Sequence, residues 1–261
     1  MSTVTPPRGA LDRPLSPTPR STLRRAKERG QQDRAELYAV LDEALICHLG
    51  VVVDGAPMVL PTCYGVLDDV LYLHGSTGAV SLRDGSGTPV CVTVTLVDGL
   101  VYARSVFHHS ANYRSAVVHG TARLVTDREE RLAALRAIVD HTTPGSWEHA
   151  RQPNAKELAA TAVLALDLEE ASVKVRTGPP VDDEVDVATG VAWAGVLPMR
   201  TVFGEPEPAP DLTPGLSVPE HLLTRTGADL GATQARHGVY RPGGTAARRG
   251  TGPLLRGPGR T

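Results

Sequence analysis

Net charge is almost absent from this sequence: 27 Lys and Arg residues stand against 29 Asp and Glu, a formal net charge of -2. No overall field therefore points to nucleic acid or an anionic membrane as a partner. Cysteine is scarce. Cys47, Cys63 and Cys91 are odd in number and lack CxxC spacing, and each lies in an apolar run, so they are expected to be reduced core thiols of a cytoplasmic protein. No apolar stretch approaches the roughly 20 residues of a membrane span, and the N-terminal stretch, rich in Pro, Ser and Arg, lacks the apolar core of an export signal. Neither membrane insertion nor export is expected. The motifs GxGxxG, GxxxxGK and GxSxG are missing too, which removes the usual dinucleotide fingerprint, the P-loop and the nucleophile elbow.

What is present suffices for one globular core, since 41% of the 261 residues are hydrophobic. Residues 1–22 mix Pro, Ser, Thr and Arg without periodicity and are expected to form a disordered arm. Residues 204–261 carry a stiff EPEPAP spacer and a Gly- and Arg-rich end, and are expected to be a largely disordered extension. The folded domain is placed between them, at residues 23–203.

That domain opens with Asp33 and Glu36 as a helix-start pair, followed by Leu37, Val40, Leu41, Ala44 and Leu45 at helical spacing. Strand-like runs follow at 46–53, 57–65 and 70–74, joined by short links that make neighbours antiparallel. Asp54-Gly55 is a two-residue hairpin signal. Val97-Asp98-Gly99 is read in the same way, as a third hairpin between strands at 89–96 and 100–108. A strand at 114–125, a helix starting at Thr126-Asp127, a short helix near 154–160 and two last strands complete the pattern. Short, mostly antiparallel strands with few helices predict a mainly β domain, closed or nearly closed as a barrel with peripheral helices.

Two polar clusters stand at the ends of these strands, where backbone groups are free to meet a ligand. The first is His74-Gly75-Ser76-Thr77-Gly78, whose glycines admit close approach and whose hydroxyl and N–H groups suit phosphate. By local chemistry alone it reads equally as an ordinary Gly/Ser turn. The second runs from Ser105 to Ser115 and includes Asn112, Tyr113 and Arg114; Arg114 suits an anion and Tyr113 an aromatic face, and a polar hairpin loop is the alternative. His108 and His109 are adjacent, so on a strand they point to opposite faces and do not converge on one ion; no metal site is expected.

The order of these blocks resembles the flavin-nucleotide-binding branch of the pyridoxamine 5'-phosphate oxidase-like superfamily, which includes nitroimidazole-resistance reductases. LDEALICHLGVVVDGAPMVLPTCYG (41–65), LYLHGSTGA (71–79), VTLVDGLVYARSVFHHSANYRSAVVHGTARLV (94–125), ASVKVRTGPPVDDE (171–184) and WAGVLP (193–198) carry the resemblance. It implies an antiparallel split β-barrel that forms a homodimer, with FMN in a groove at the subunit interface. On that pattern Val59, Leu60, Pro61 and Thr62 would lie beside the flavin ring. His74, Gly75, Ser76, Thr77, Ser81 and Arg83 would approach the ribityl and phosphate, and Ser105, Asn112, Tyr113, Arg114 and Ser115 would close the site, some from the second subunit. Relatives usually carry Arg at the start of the phosphate-side helix, where this chain has Val80. That departure gives weight to a deazaflavin or haem as alternative cofactors. The implied activity is an oxidoreductase passing electrons from a small-molecule reductant to a small organic acceptor, with His74 as the candidate proton donor; a non-catalytic flavin carrier or sensor and a cofactor-less dimeric module are the alternatives.

Overall fold

The computed structural model describes residues 14–15, 18–190 and 192–231. Its elements run, in chain order, β1 (Gly30–Gln31), α1 (Arg34–Glu43), β2 (Ile46–Val53), β3 (Ala56–Leu67), β4 (Val70–Ser76), α2 (Val80–Gly85), β5 (Pro89–Tyr102), β6 (Ser110–Thr121), β7 (Arg123–Leu124) and α3 (Arg128–Thr142). After them come α4 (Ser146–His149), α5 (Ala155–Ala160), β8 (Thr161–Asp167), β9 (Glu170–Arg176), α6 (Glu184–Thr189), β10 (Gly195–Pro198) and α7 (Glu220–Leu223). The strands form one antiparallel sheet in the order β1-β9-β6-β5-β2-β3-β4-β8-β7, with β10 added to β5. The sheet curls without closing, which is the mainly β split barrel expected.

Local chemistry explains most of these elements. Asp33 caps α1 by accepting from the Ala35 N–H, and Asp127 caps α3 by accepting from the Glu130 N–H. Asn154 and Glu157 make a reciprocal capping box on α5. Asp54 and Gly55 both take positive φ, which turns β2 back onto β3 through the shortest hairpin link. In β2 the alternate residues Cys47, Leu49, Val51 and Val53 are buried, and Val92, Val94, Ala116, Val118, Leu71, Leu73, Leu164 and Leu166 meet them inside the curl. α1 plugs this core with Leu37, Val40 and Leu41. α3 lies on the outer face of β3 and β4 through Ala134 and Ile138, packed with Tyr72, Val163 and Ala165. Gly65 makes that seat possible: a Cβ there would stand 2.5 Å from the backbone at Ala137 and Ile138.

The third hairpin does not exist. β5 runs unbroken from Pro89 to Tyr102, and Asp98-Gly99 marks a register shift against β6 rather than a turn. β10 is the cause, for it pairs across the bulge, Gly99 opposite Pro198, so closely that a Cβ at Gly99 would meet the Leu197 carbonyl at 2.9 Å. The following strand consequently starts at Ser110, and Asn112 to Ser115 lie within β6 rather than in a loop before it.

The described parts of the two flanking segments touch the domain. Leu15 is buried, and Arg20 pairs with Glu170. Phe203 lies 4.1 Å beneath the Arg225 guanidinium, Arg225 donates to the Thr142 carbonyl, and Val202 bridges to Asp229. Residues 1–13, 16–17 and 232–261 lie outside the described residues. No described helix is long and apolar enough to cross a membrane.

Candidate functional site

The site is a fork in the sheet. β3 keeps β2 on one side over its first eight residues, from Ala56 opposite Val53 to Cys63 opposite Ile46. On its other side it pairs with β4 only from Tyr64, opposite Leu73, to Leu67, opposite Val70. One residue further the two strands part. His74, Gly75 and Ser76 keep their partners Val163, Ala162 and Thr161 on β8, which borders β4 along its whole other edge, but no longer meet β3. The outer edge of β3 from Val59 to Cys63 is thereby left without a strand partner among the described residues, and its edge-facing N–H and C=O groups face the opening.

Val59 and Pro61 stand on the exposed outer face of this edge, Val59 at 66% exposure, while Leu60 and Thr62 turn towards the interior opposite Leu49 and Cys47. Across the fork, His74 shares its face with Tyr72 and with its partner Val163, beneath α3. Its Nδ1 is buried and has no hydrogen-bond partner among the described residues, and burial holds its pKa below the ordinary value, so the ring is neutral at pH 7. Gly75 leaves room for Leu82, whose Cδ1 would lie 2.5 Å from a Cβ. The Ser76 hydroxyl accepts from the Gly78 N–H at 3.2 Å, and the Thr77 N–H is bound by the Ala160 carbonyl at 3.0 Å. Ser81 is half-buried on α2. Arg83 also belongs to α2, and its side chain lies outside the described residues.

The second cluster is elsewhere. β6 is separated from β3 by β5 and β2, three strand spacings or about 14 Å. Within one chain, Asn112 to Ser115 therefore do not line the fork. Arg114 is bound by two carboxylates: its Nη1 and Nη2 donate to Glu43 at 2.5 and 2.9 Å, and its Nε and Nη2 donate to Asp98 at 3.0 and 2.6 Å. Those contacts hold its pKa well above the ordinary guanidinium value. Asn112 accepts from Arg176 and donates to the Gly178 carbonyl at 3.1 Å. Ser115 reaches the Lys174 carbonyl at 3.5 Å, Tyr113 is half-buried, and Ser105 caps the short turn Val106–His108 by accepting from the Phe107 N–H.

Sequence reasoning missed one grouping. His108 does not meet His109 but faces the acidic segment ahead of and within α6, its Nε2 lying 3.4 Å from Asp183. The run Asp182-Asp183-Glu184 was visible in the sequence, yet nothing in it marked His108 as a neighbour. A cleft of about 240 Å³ lined by Arg128, Arg131, Pro153, Ala155, Leu158 and Ala159 lies beside α5, and none of the named fork residues lines it.

Comparison with known proteins agrees with the split-barrel fold. The family model described as pyridoxamine 5'-phosphate oxidase matches residues 33–175. Among solved structures, a flavocytochrome from Azotobacter vinelandii is 39% identical with a TM-score of 0.77, over 82% of this chain and 100% of its own. The FAD and heme binding protein from Mycobacterium smegmatis is 38% identical with a TM-score of 0.73, over 77% of this chain and 98% of its own. No match was found among curated proteins.

Proposed function

The chain belongs to the pyridoxamine 5'-phosphate oxidase family of split β-barrels, and from that premise we propose that it binds a flavin nucleotide at the β3–β4 fork and works as an oxidoreductase towards a small organic acceptor. One observation carries the reading: among the described residues the fork presents an unpaired strand edge together with the buried, unpartnered Nδ1 of His74. Leaving such a group unpaired costs about 1–3 kcal/mol, a penalty that a ligand atom at the fork relieves. The two similar proteins named above, called a flavocytochrome and an FAD and heme binding protein, support a flavin here. FMN is the nucleotide implied by the resemblance and FAD the one named for the Mycobacterium protein; the two share the ring and first phosphate that the fork would hold.

When bound, the flavin supplies the hydride and electron chemistry. The chain's part is to hold the ring along Val59–Thr62 with backbone groups, to receive the phosphate at Ser76, Thr77 and Ser81, and to place His74 at the ring. A neutral imidazole there accepts or donates a hydrogen bond, and it can pass a proton without net charge as a relay, taking one at one ring nitrogen while giving up the one on the other. The apolar outer face that borders the fork, with Ile46, Val52, Val59 and Val97 each more than two-fifths exposed, suits a second copy of the chain. Such a homodimer would bring Asn112 and Tyr113 of one subunit near the fork of the other, which the strand order forbids within one chain.

Haem as a second cofactor is favoured by the same two comparisons. His74 and His48, the latter exposed opposite Pro61, are the imidazoles that flank the fork. Mass spectrometry and the absorption spectrum of purified protein test the proposal. A flavin released on denaturation, bleached anaerobically by reduced nicotinamide and restored by an acceptor, is the expected result, with a Soret band if haem is present. Protein that is colourless and takes up neither FMN nor FAD would refute it, and flavin that no reductant bleaches would leave a carrier rather than an enzyme.

A further inference from the structure

We infer that His108, Asp183 and Asp186 form a binding site for a divalent first-row transition cation, separate from the flavin fork and independent of the flavin reading. One ligand atom from each residue lies within 4.8 Å of the other two. His108 Nε2 and Asp183 Oδ2 are 3.4 Å apart. Two ligands of one ion at metal distances of about 2.0–2.2 Å stand about 3.3–3.6 Å from each other in a tetrahedron, so this pair already has ligand spacing.

The segments are clamped together by other contacts. Arg104 donates to Asp182 twice, from its backbone N–H at 2.9 Å and from Nη1 at 2.8 Å. Asp182 is only 1% exposed in its side chain, so the chain before α6 is fixed against the β5–β6 connection. Asn112 adds a bond to Gly178 just upstream. His108 ends a short helical turn that Ser105 caps. A second observation concerns Asp183 itself. It occupies the N-cap of α6, where an Asp normally accepts from the helix's first N–H groups, and it makes no such bond. Its carboxylate turns to His108 instead. Asp186, one helical turn on, shares that face of α6.

The donor set identifies the class of ion. Ca²⁺ and Mg²⁺ take oxygen ligands, whereas an imidazole beside two carboxylates suits Zn²⁺, Mn²⁺ or Co²⁺ and leaves positions open to water. A bound cation would tie α6 to the turn that carries Val106 and Phe107, which stand 87% and 85% exposed. It would thereby stiffen that apolar rim.

The experiment is calorimetric titration of the tag-free, chelator-treated full chain with Zn²⁺ and, in parallel, Mg²⁺. One saturable equivalent of Zn²⁺ and no Mg²⁺ binding are expected. His108→Ala and Asp186→Asn should each weaken Zn²⁺ by at least about tenfold, while His109→Ala, whose ring contacts the Ser105 carbonyl and the Ala103 N–H, leaves it unchanged. Circular dichroism verifies that each variant folds, and Asp183→Asn replaces any that does not. Absence of saturable Zn²⁺ binding, affinity undiminished in these variants, or an equal loss in His109→Ala would overturn the site.

Discussion

Replacing Arg114 by Leu separates two readings of the most charged group on β6. The guanidinium joins α1, through Glu43, to the bulge of β5, through Asp98. Side-chain exposures of 25% for Arg114, 24% for Glu43 and 31% for Asp98 place the triad between two measured extremes. Exposed pairs contribute about 0–1 kcal/mol, whereas removing one partner of a fully buried pair costs about 3–5 kcal/mol. A quarter-exposed triad that loses its shared cation should lose about 2–3 kcal/mol, because two carboxylates are then left facing each other. Urea denaturation at pH 7.5 reads this loss directly. Flavin titrated into the folded variant should bind within about threefold of wild type, under 1 kcal/mol. Unchanged stability with flavin affinity reduced tenfold or more would show that Arg114 leaves its carboxylates to serve the ligand, and would refute the reasoning.

Gly65→Ala puts a methyl 2.5 Å from the α3 backbone and should cost about 2–4 kcal/mol, lowering Tm in a thermal melt by roughly 4–12 °C; Gly204→Ala, with nothing within 4 Å and no positive φ, should leave Tm in place. Asp42 is raised from 3.8 to about 7 by burial, and one of its oxygens has no partner among the described residues. The folded chain then holds a proton that the unfolded chain has released between about pH 4 and 7, so this residue makes stability fall as pH rises through that window. Asp42→Asn should flatten the decline and gain up to about 4 kcal/mol at pH 8, measured by urea denaturation. Val80→Arg adds a cation at the start of α2, next to Ser76–Ala79, and should tighten the flavin phosphate by one to two decades, about 1.5–3 kcal/mol, in a fluorescence titration.

Elements made by neighbouring residues were legible in the sequence. Alternation in Ile46–Val53 and the Asp54-Gly55 turn predict β2 and its hairpin without reference to the rest of the chain. Asp98-Gly99 carries the same letters and means something else, because a strand about a hundred residues later pairs across it and converts a turn signal into a bulge. Arg114 was misleading for a similar reason. As a cation in a polar cluster it invites an anionic ligand, yet its partner Glu43 is 71 residues away on α1. The asparagine-tyrosine block could not be placed relative to His74 until the strand order put two strands between β6 and β3.

The fork itself was beyond the reach of strand patterns, since it depends on where β4, paired with β8 along its whole length, stops pairing with β3. The helices decide that point. Gly65, opposite Tyr72, lets α3 seat on the outer face at the last stretch the two strands share. Gly75, opposite Ala162, lets Leu82 of α2 fill the inner face just beyond the parting. The opening between Cys63 and His74 is thus wedged from both faces by helix packing, and the edge of β3 stays free because β4 is held elsewhere. It follows that substitutions at Gly65 and Gly75 should disturb stability and ligand affinity together. His74→Leu, which removes the imidazole whose Nδ1 has no partner among the described residues and with it a cost of about 1–3 kcal/mol, should lower affinity for the cofactor while raising the melting temperature of the cofactor-free chain.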